Sequence, residues 1–280
     1  MNSLKTILLL GLMTGIILVI GEAVGGRNGL VIAFGFALVF NFGAYWFSDK
    51  IVLAMHSAKE ISQQEDPSLH RIVAELATGA NIPKPRIFYV DSPVPNAFAT
   101  GRNPEHGVVA VTGGLLHMMN EHELRGVLAH ELSHIKNRDI LISTIAATLA
   151  ATITMVARMA GWAMMLGAGR DRDDDGGSAV GAIFMIIMAP LLALLIQMWI
   201  SRTREYQADA SGARIAGTPH GLANALLKLD SASRRIQSDP NPALAHLYIM
   251  SPLSGKSIFR IFSTHPPVEE RVERLRNMTL

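Results

Sequence analysis

The residues whose types and spacing could do chemistry lie between Asn120 and Asp139. There His130-Glu131-Leu132-Ser133-His134 sets two histidines four residues apart around a glutamate. Leu124, Val127, Leu128, Leu132 and Ile135 recur at three- and four-residue spacing, and Asn120 with Glu123 three residues on reads as a capping arrangement, so the stretch is expected to be helical. On a helix His130 and His134 stand one turn apart on one face. Two imidazoles so placed can reach one zinc ion while Glu131 points beside it towards a water, the arrangement of metal-assisted hydrolysis. The plainer reading is two surface histidines on a polar helix face.

A third ligand separates these readings, because a catalytic zinc takes three protein ligands and keeps one position open. The chain has no cysteine, so any zinc must be held by His and carboxylate, and no disulfide framework is available. Glu205 is the best candidate. Ala208, Ala210, Ser211 and Ala213 are small enough to let its helix approach closely. Asp209 lies one turn further along the same face, placed to accept the free ring N–H of a liganding histidine and so fix its tautomer. Away from a metal, Glu205 and Asp209 would be ordinary helix-surface carboxylates paired with Arg202 or Arg204.

The elements that must position these groups are unusual for a soluble chain. Of 280 residues 49% are hydrophobic and only 17% charged, against about a quarter charged in soluble domains, so part of the chain is expected in a membrane. Leu4 to Ile20 and Gly29 to Phe47 are apolar runs of nearly spanning length, joined by Gly21 to Asn28, and read as a transmembrane hairpin. A signal peptide fits the first run less well, since Gly-Glu-Ala-Val-Gly-Gly is a poor cleavage site. Ile140 to Leu166 and Ser178 to Ile200 form a second apolar pair. Lys50, Lys59, Lys136, Arg138, Arg202, Arg204 and Arg214 flank the inner ends, against Arg27 in the first loop and Arg170 and Arg172 in the second. Counting basic residues puts both termini and the candidate site in the cytoplasm.

Between the two hairpins, Ser57 to Glu65 reads as a polar helical stretch, and Asp66-Pro67 opens a helix with Leu69, Ile72, Val73 and Leu76 on its face. Arg86 to Val90 and Gly107 to Thr112 read as buried strands, with Pro93 to Gly101 a loop or irregular edge between them. A strand edge ahead of the zinc helix could hold a substrate peptide extended. Beyond the fourth run, Gly217 caps one helix and Thr218-Pro219 starts the next, with Leu222, Leu226 and Leu229 inward. Asp239 to Gly255 has no period, and a short terminal helix turns Val268, Val272 and Leu275 inward. The net charge of +2, with no basic patch interleaved with aromatics, argues against nucleic acid. No G-x-x-x-x-G-K-[ST] loop is present, so ATP use is not expected.

Together, His130-Glu-Leu-Ser-His134, Glu205-Tyr-Gln-Ala-Asp209, Pro95-Asn-Ala-Phe98 and Ser263-Thr-His-Pro-Pro267 resemble the membrane zinc metalloproteases that include the HtpX-type bacterial heat-shock proteases and the CaaX prenyl proteases. The resemblance runs over nearly the whole length. It implies a mainly α membrane protein with four transmembrane helices and a cytoplasmic α+β zincin-like (gluzincin) domain carrying a small sheet. In that division residues 1–47 are the first hairpin, 48–139 the first catalytic part, 140–200 the second hairpin and 201–280 the second catalytic part. Zn2+ would be held by His130, His134 and Glu205, with Glu131 as general base. Asn96, Ala97 and Phe98, together with Val109 and Val111 of the following strand, would line the substrate cleft. His265 and Arg271 would sit near the metal and steady the oxyanion or the substrate. Ser133 stands where many members have glycine, a departure that touches packing behind the metal.

The implied activity is ATP-independent cleavage of misfolded or unassembled membrane proteins at the cytoplasmic face of a bacterial inner membrane, with the lipid bilayer as the other partner. The alternative is a zinc-binding membrane sensor or scaffold without hydrolysis. An intramembrane protease is disfavoured, because Glu121, Glu123, Arg125, Lys136 and Arg138 surround the motif and would be costly in hydrocarbon.

Overall fold

The computed structural model describes residues 2–139, 202–233 and 266–280, with the side chains of the first helix described in part. The apolar runs Ile140 to Leu166 and Ser178 to Ile200, the stretch Asp239 to Gly255 and His265 lie outside the described residues.

Helix α1, Asn2–Met55, carries both N-terminal runs and leaves helical dihedrals at Gly26 (φ 57, ψ −142). A positive φ is cheap only for glycine. The chain reverses there. In a straight helix Gly21 and Ala33 would lie about 18 Å apart, yet a methyl group added at Gly21 would collide with Ala33 and Gly29. The two arms therefore form a helical hairpin, whose second arm runs on to Met55 rather than ending near Phe47. Among the described residues no helix is long and apolar enough to cross a membrane. The sequence of the two arms is what keeps spanning as a reading of α1.

Ser57 to Glu65 is not helical. Ser57 takes a left-handed φ of 50, and the chain enters β1 (Lys59–Glu60) before the Ser62 N–H donates to Glu65 Oε2 at 2.6 Å in a tight turn. Polar periodicity with no apolar face gave this stretch nothing to bury as a helix. Helix α2, Pro67–Ala80, starts and stops as its residues dictate. Asp66 accepts from the Leu69 N–H at 2.9 Å, and Asn81 takes the left-handed cap.

Strands β2 (Arg86–Val90), β3 (Ala97–Thr100) and β4 (Val108–Thr112) complete a four-stranded sheet of order β1-β2-β4-β3. β2 and β4 run parallel, while β3 pairs antiparallel with β4, Ala97 opposite Val111 and Thr100 opposite Val108. The segment read as a loop or irregular edge thus supplies the edge strand. The prolines at 93 and 95 precede it, where no ladder hydrogen bond is asked of them.

Helix α3 (Gly113–Met118) leads into α4 (Glu121–Asn137), whose capping box is complete: Asn120 accepts from the Glu123 N–H, and Glu123 accepts from the Asn120 N–H, both at 3.0 Å. A helix over 202–216, here α5, ends at Gly217 (φ 75), and α6 (His220–Ser233) and α7 (Val268–Arg276) follow. The sheet has helical cover on both faces. Ile87, Ala97, Ala99, Val109 and Val111 share one core with α2, α4, α6 and α7. Phe88, Val90, Phe98, Val108 and Ala110 pack on Val52 and Leu53 from the end of α1.

Candidate metal centre

Two helices build the site because glycines let their backbones nearly touch. A Cβ at Gly212 of α5 would lie 2.9 Å from the His130 backbone nitrogen of α4 and 3.0 Å from its Cα. Only glycine fits there, and Glu205 and Asp209 on the same helix are thereby brought against His130. One turn earlier on α4, any side chain at Gly126 would collide with Gly221 and Leu222 of α6.

His130 Nε2 and His134 Nε2 lie 3.2 Å apart, Glu205 Oε2 lies 3.6 Å from the first and Glu205 Oε1 3.5 Å from the second. A tetrahedral ion bound at about 2.1 Å holds its ligand atoms about 3.4 Å apart. These separations match, and they make His130, His134 and Glu205 a group able to hold a metal ion. All three sequence-predicted ligands come together.

Each histidine has a carboxylate behind it. His134 Nδ1 faces Asp139 Oδ2 at 3.3 Å, and His130 Nδ1 lies 3.0 Å from Asp209 Oδ1. The second contact is close but poorly aligned, so Nδ1 makes no well-directed hydrogen bond, and we read it as an electrostatic contact. Asp139 went unnoticed in the sequence. Its place depends on the left-handed cap at Arg138 (φ 58), which turns the chain back against the last turn of α4. Arg204 Nη1 donates to the Asp139 carbonyl at 3.1 Å and fastens α5 to that corner.

Arg271 is wholly buried. Its Nε and Nη2 donate to Asp209 Oδ2 and Oδ1 at 2.8 and 2.7 Å, and its Nη1 lies 3.4 Å from Glu205 Oε2. The fork therefore positions Asp209 and Glu205. Removing one member of such a buried pair costs about 3–5 kcal/mol, because the other is left as an uncompensated charge.

The charges shape one another. Burial would raise the Asp209 carboxyl, but Arg271 outweighs it and holds Asp209 down to about 2. Burial would likewise lower His130, but Asp209 and Glu205 hold that imidazole up to about 10. Arg271 is lowered by burial and raised more by Asp209, and stays protonated. For Glu131 burial is the largest influence and raises its pKa, with His130 and His134 pulling the other way.

The Ala99 backbone N–H lies beside Glu131 and slightly favours its charged form against the effect of burial. The ladder explains why that donor is available. Thr112 donates its N–H to the Asn96 carbonyl at 2.9 Å, and in an antiparallel pair hydrogen-bonded positions alternate. Counting from Asn96, Ala99 points its N–H away from β4, to the outer edge of the sheet.

The remaining predicted cleft residues divide. Asn96 is pinned by its backbone, its N–H donating to Thr112 Oγ1 at 2.8 Å, and Ala97 faces α4 beside the site helix. Phe98 turns to the opposite face, its ring 4.7 Å from that of His56. Val109 and Val111 lie on the inner strand, fully buried in the helix-side core. They were expected to line the substrate cleft, but the free edge on that side of the sheet belongs to β3, not to their strand.

Two histidines, a carboxylate ligand and a buried glutamate beside them define a metallopeptidase centre, and the chain belongs to Peptidase family M48, whose model matches residues 63–279. Among known proteins it is 54% identical to a Protease HtpX homolog of Desulforapulum autotrophicum, over 99% of this chain and 90% of that one. It is also 53% identical to those of Persephonella marina (99% and 98%) and Pyrococcus furiosus (99% and 96%). The crystal structure of S. mikatae Ste24p has the same fold at 19% identity, with a TM-score of 0.55 over 98% of this chain and 65% of that one.

Proposed function

We propose that the chain is a zinc-dependent endopeptidase of the cytoplasmic membrane that cleaves misfolded or unassembled membrane proteins at the cytoplasmic face. The observation that carries the reading is the convergence of His130, His134 and Glu205 within 3.2 to 3.6 Å beside buried Glu131. A donor set of two imidazoles and one carboxylate suits zinc and leaves a position open.

When bound, zinc supplies Lewis acidity to a water and to the scissile carbonyl. Glu131 accepts the proton of the attacking water, a task for which a raised carboxyl pKa is suited near neutral pH. The same carboxyl then gives the proton to the departing amine nitrogen. Asp139 and Asp209 hold the two histidine rings in orientation. A substrate chain lies extended along the outer edge of β3. His265 steadies the oxyanion or the substrate, a part assigned from the motif Ser263-Thr-His-Pro-Pro267 alone.

Changing Glu131→Gln is expected to abolish cleavage of a membrane-protein substrate while bound metal, measured by elemental analysis, stays at the wild-type level. Undiminished proteolysis by that variant overturns the mechanism. A zinc-binding scaffold would show metal and no cleavage in the unmutated protein, and membership of a peptidase family does not favour it.

A further inference from the structure

The second arm of α1 changes character along its length. Phe34, Phe36, Leu38, Val39 and Phe42 are exposed, as a lipid-facing helix requires. Then come Trp46 and Phe47, both exposed, with the Lys50 ammonium 5.5 Å from the Phe47 ring. A second cation joins them from elsewhere in the fold. The Arg102 guanidinium, in the connection between β3 and β4, lies 4.6 Å from the Trp46 ring centre. Aromatic rings beside cations mark the level of lipid headgroups, where a ring can be half immersed and a cation can meet phosphate.

We propose that Trp46, Phe47, Lys50 and Arg102 form an interfacial belt that binds the phosphates of anionic lipids and holds the edge strand β3 at the bilayer surface. The inference rests on the membrane seat proposed above. Two links transmit the position. Along α1, Val52 and Leu53 lie one to two turns beyond Trp46 and are packed on the back of the sheet, and Asp49 between them accepts from Arg86 of β2 at 3.2 Å. Along the sheet, Arg102 is three residues from Ala99, whose N–H lies beside Glu131. Three residues span at most about 11 Å, and the arginine side chain adds less than that. The general base is thus within about 20 Å of the belt, which an extended substrate covers in about six residues. The substrates favoured are segments of membrane proteins just outside their own spans.

The test uses the full chain in liposomes of neutral lipid, with and without anionic lipid. Replacing Trp162 and Trp199 by Phe leaves Trp46 as the sole tryptophan of three, and its fluorescence is read against lipids brominated near the headgroup or near the chain end. Shallow bromines are expected to quench Trp46 more strongly. Anionic lipid is expected to speed cleavage of a membrane-anchored substrate about fivefold, the factor for the ~1 kcal/mol one arginine gains beside an anionic surface, and Arg102→Ala is expected to remove that gain. Arg102→Gln repeats the comparison if the alanine variant misfolds. Stronger quenching by deep bromines, or an anionic-lipid gain that survives in both variants, overturns the belt while the membrane seat stands. Absence of quenching by either lipid overturns both.

Discussion

At the scale of single residues, the site is a set of charges that settle one another. His130 carries a proton that a metal must displace, because Asp209 and Glu205 hold its imidazole at about 10 against the ordinary 6.5. The sign follows from linkage: a raised folded value means that the stabilisation by this proton is complete below about pH 6.5 and is lost as pH climbs towards 10. Metal and proton compete for the same nitrogen. Metal affinity, measured by competition with a chromophoric chelator, is therefore expected to rise between about pH 6.5 and 10, while the metal-free domain loses thermal stability over the same range. A flat affinity across that window would contradict the proton on His130. The two histidine ligands were legible in the sequence because a helical i, i+4 spacing is local information, and Glu205 because small residues and Asp209 follow it on its helix. Asp139 was not, since nothing in its neighbours announces the turn that returns it to His134. The positioning part of Arg271 was hidden too, because it depends on a contact 62 residues away.

At the scale of elements, the crossing of α4 and α5 decides whether the ligands meet. Gly212→Ala would press a methyl group against the His130 backbone at 2.9 Å, and overpacking of this kind costs about 1–3 kcal/mol. The expected result is metal affinity at least about tenfold weaker, as when the supports of a metal ligand are disturbed. Gly79→Ala in α2 is the control, because its added Cβ would find nothing nearer than 3.5 Å. Equal metal affinities of the two variants would show that the close crossing is not what places Glu205. Helix ends were readable from sequence because caps are made by neighbouring residues, as Asn120 with Glu123 and Asp66 with Leu69 show. Ala97–Thr100 was not readable as a strand. Four residues behind two prolines gain their extended form only from pairing with β4, a partner that propensity does not see.

At the scale of the whole molecule, distant stretches of chain meet at one point. His130 and His134 come from α4, Glu205 and Asp209 from α5 and Arg271 from α7. A metal that binds only this assembled state stabilises it by mass action, by about 4 kcal/mol at a thousand times its dissociation constant. Chelation is accordingly expected to lower the melting temperature by several degrees, and readdition of zinc to restore it, followed by circular dichroism in detergent. An unchanged melting curve would mean that the three stretches dock without help from the metal. The placing of the sheet between α1 and the metal-bearing helices was beyond sequence reasoning. Phe88, Val90 and Phe98 alternate with Ile87, Ala97 and Ala99 in both directions of apolar character, and a strand buried on both faces does not say what covers either.

The placing of the Ala99 N–H beside Glu131 would give the resting protein a kind of self-restraint. The outward N–H of β3 is what an arriving polypeptide would seek in order to align itself, and the base already lies beside it. In the proposed mechanism a polypeptide long enough to pair with the strand would take that donor for its own carbonyl and leave the carboxylate free; a fragment too short to pair would leave the two together. Discrimination between chains and fragments then falls on turnover rather than on capture, and the first thing a substrate competes with is the group that will cut it.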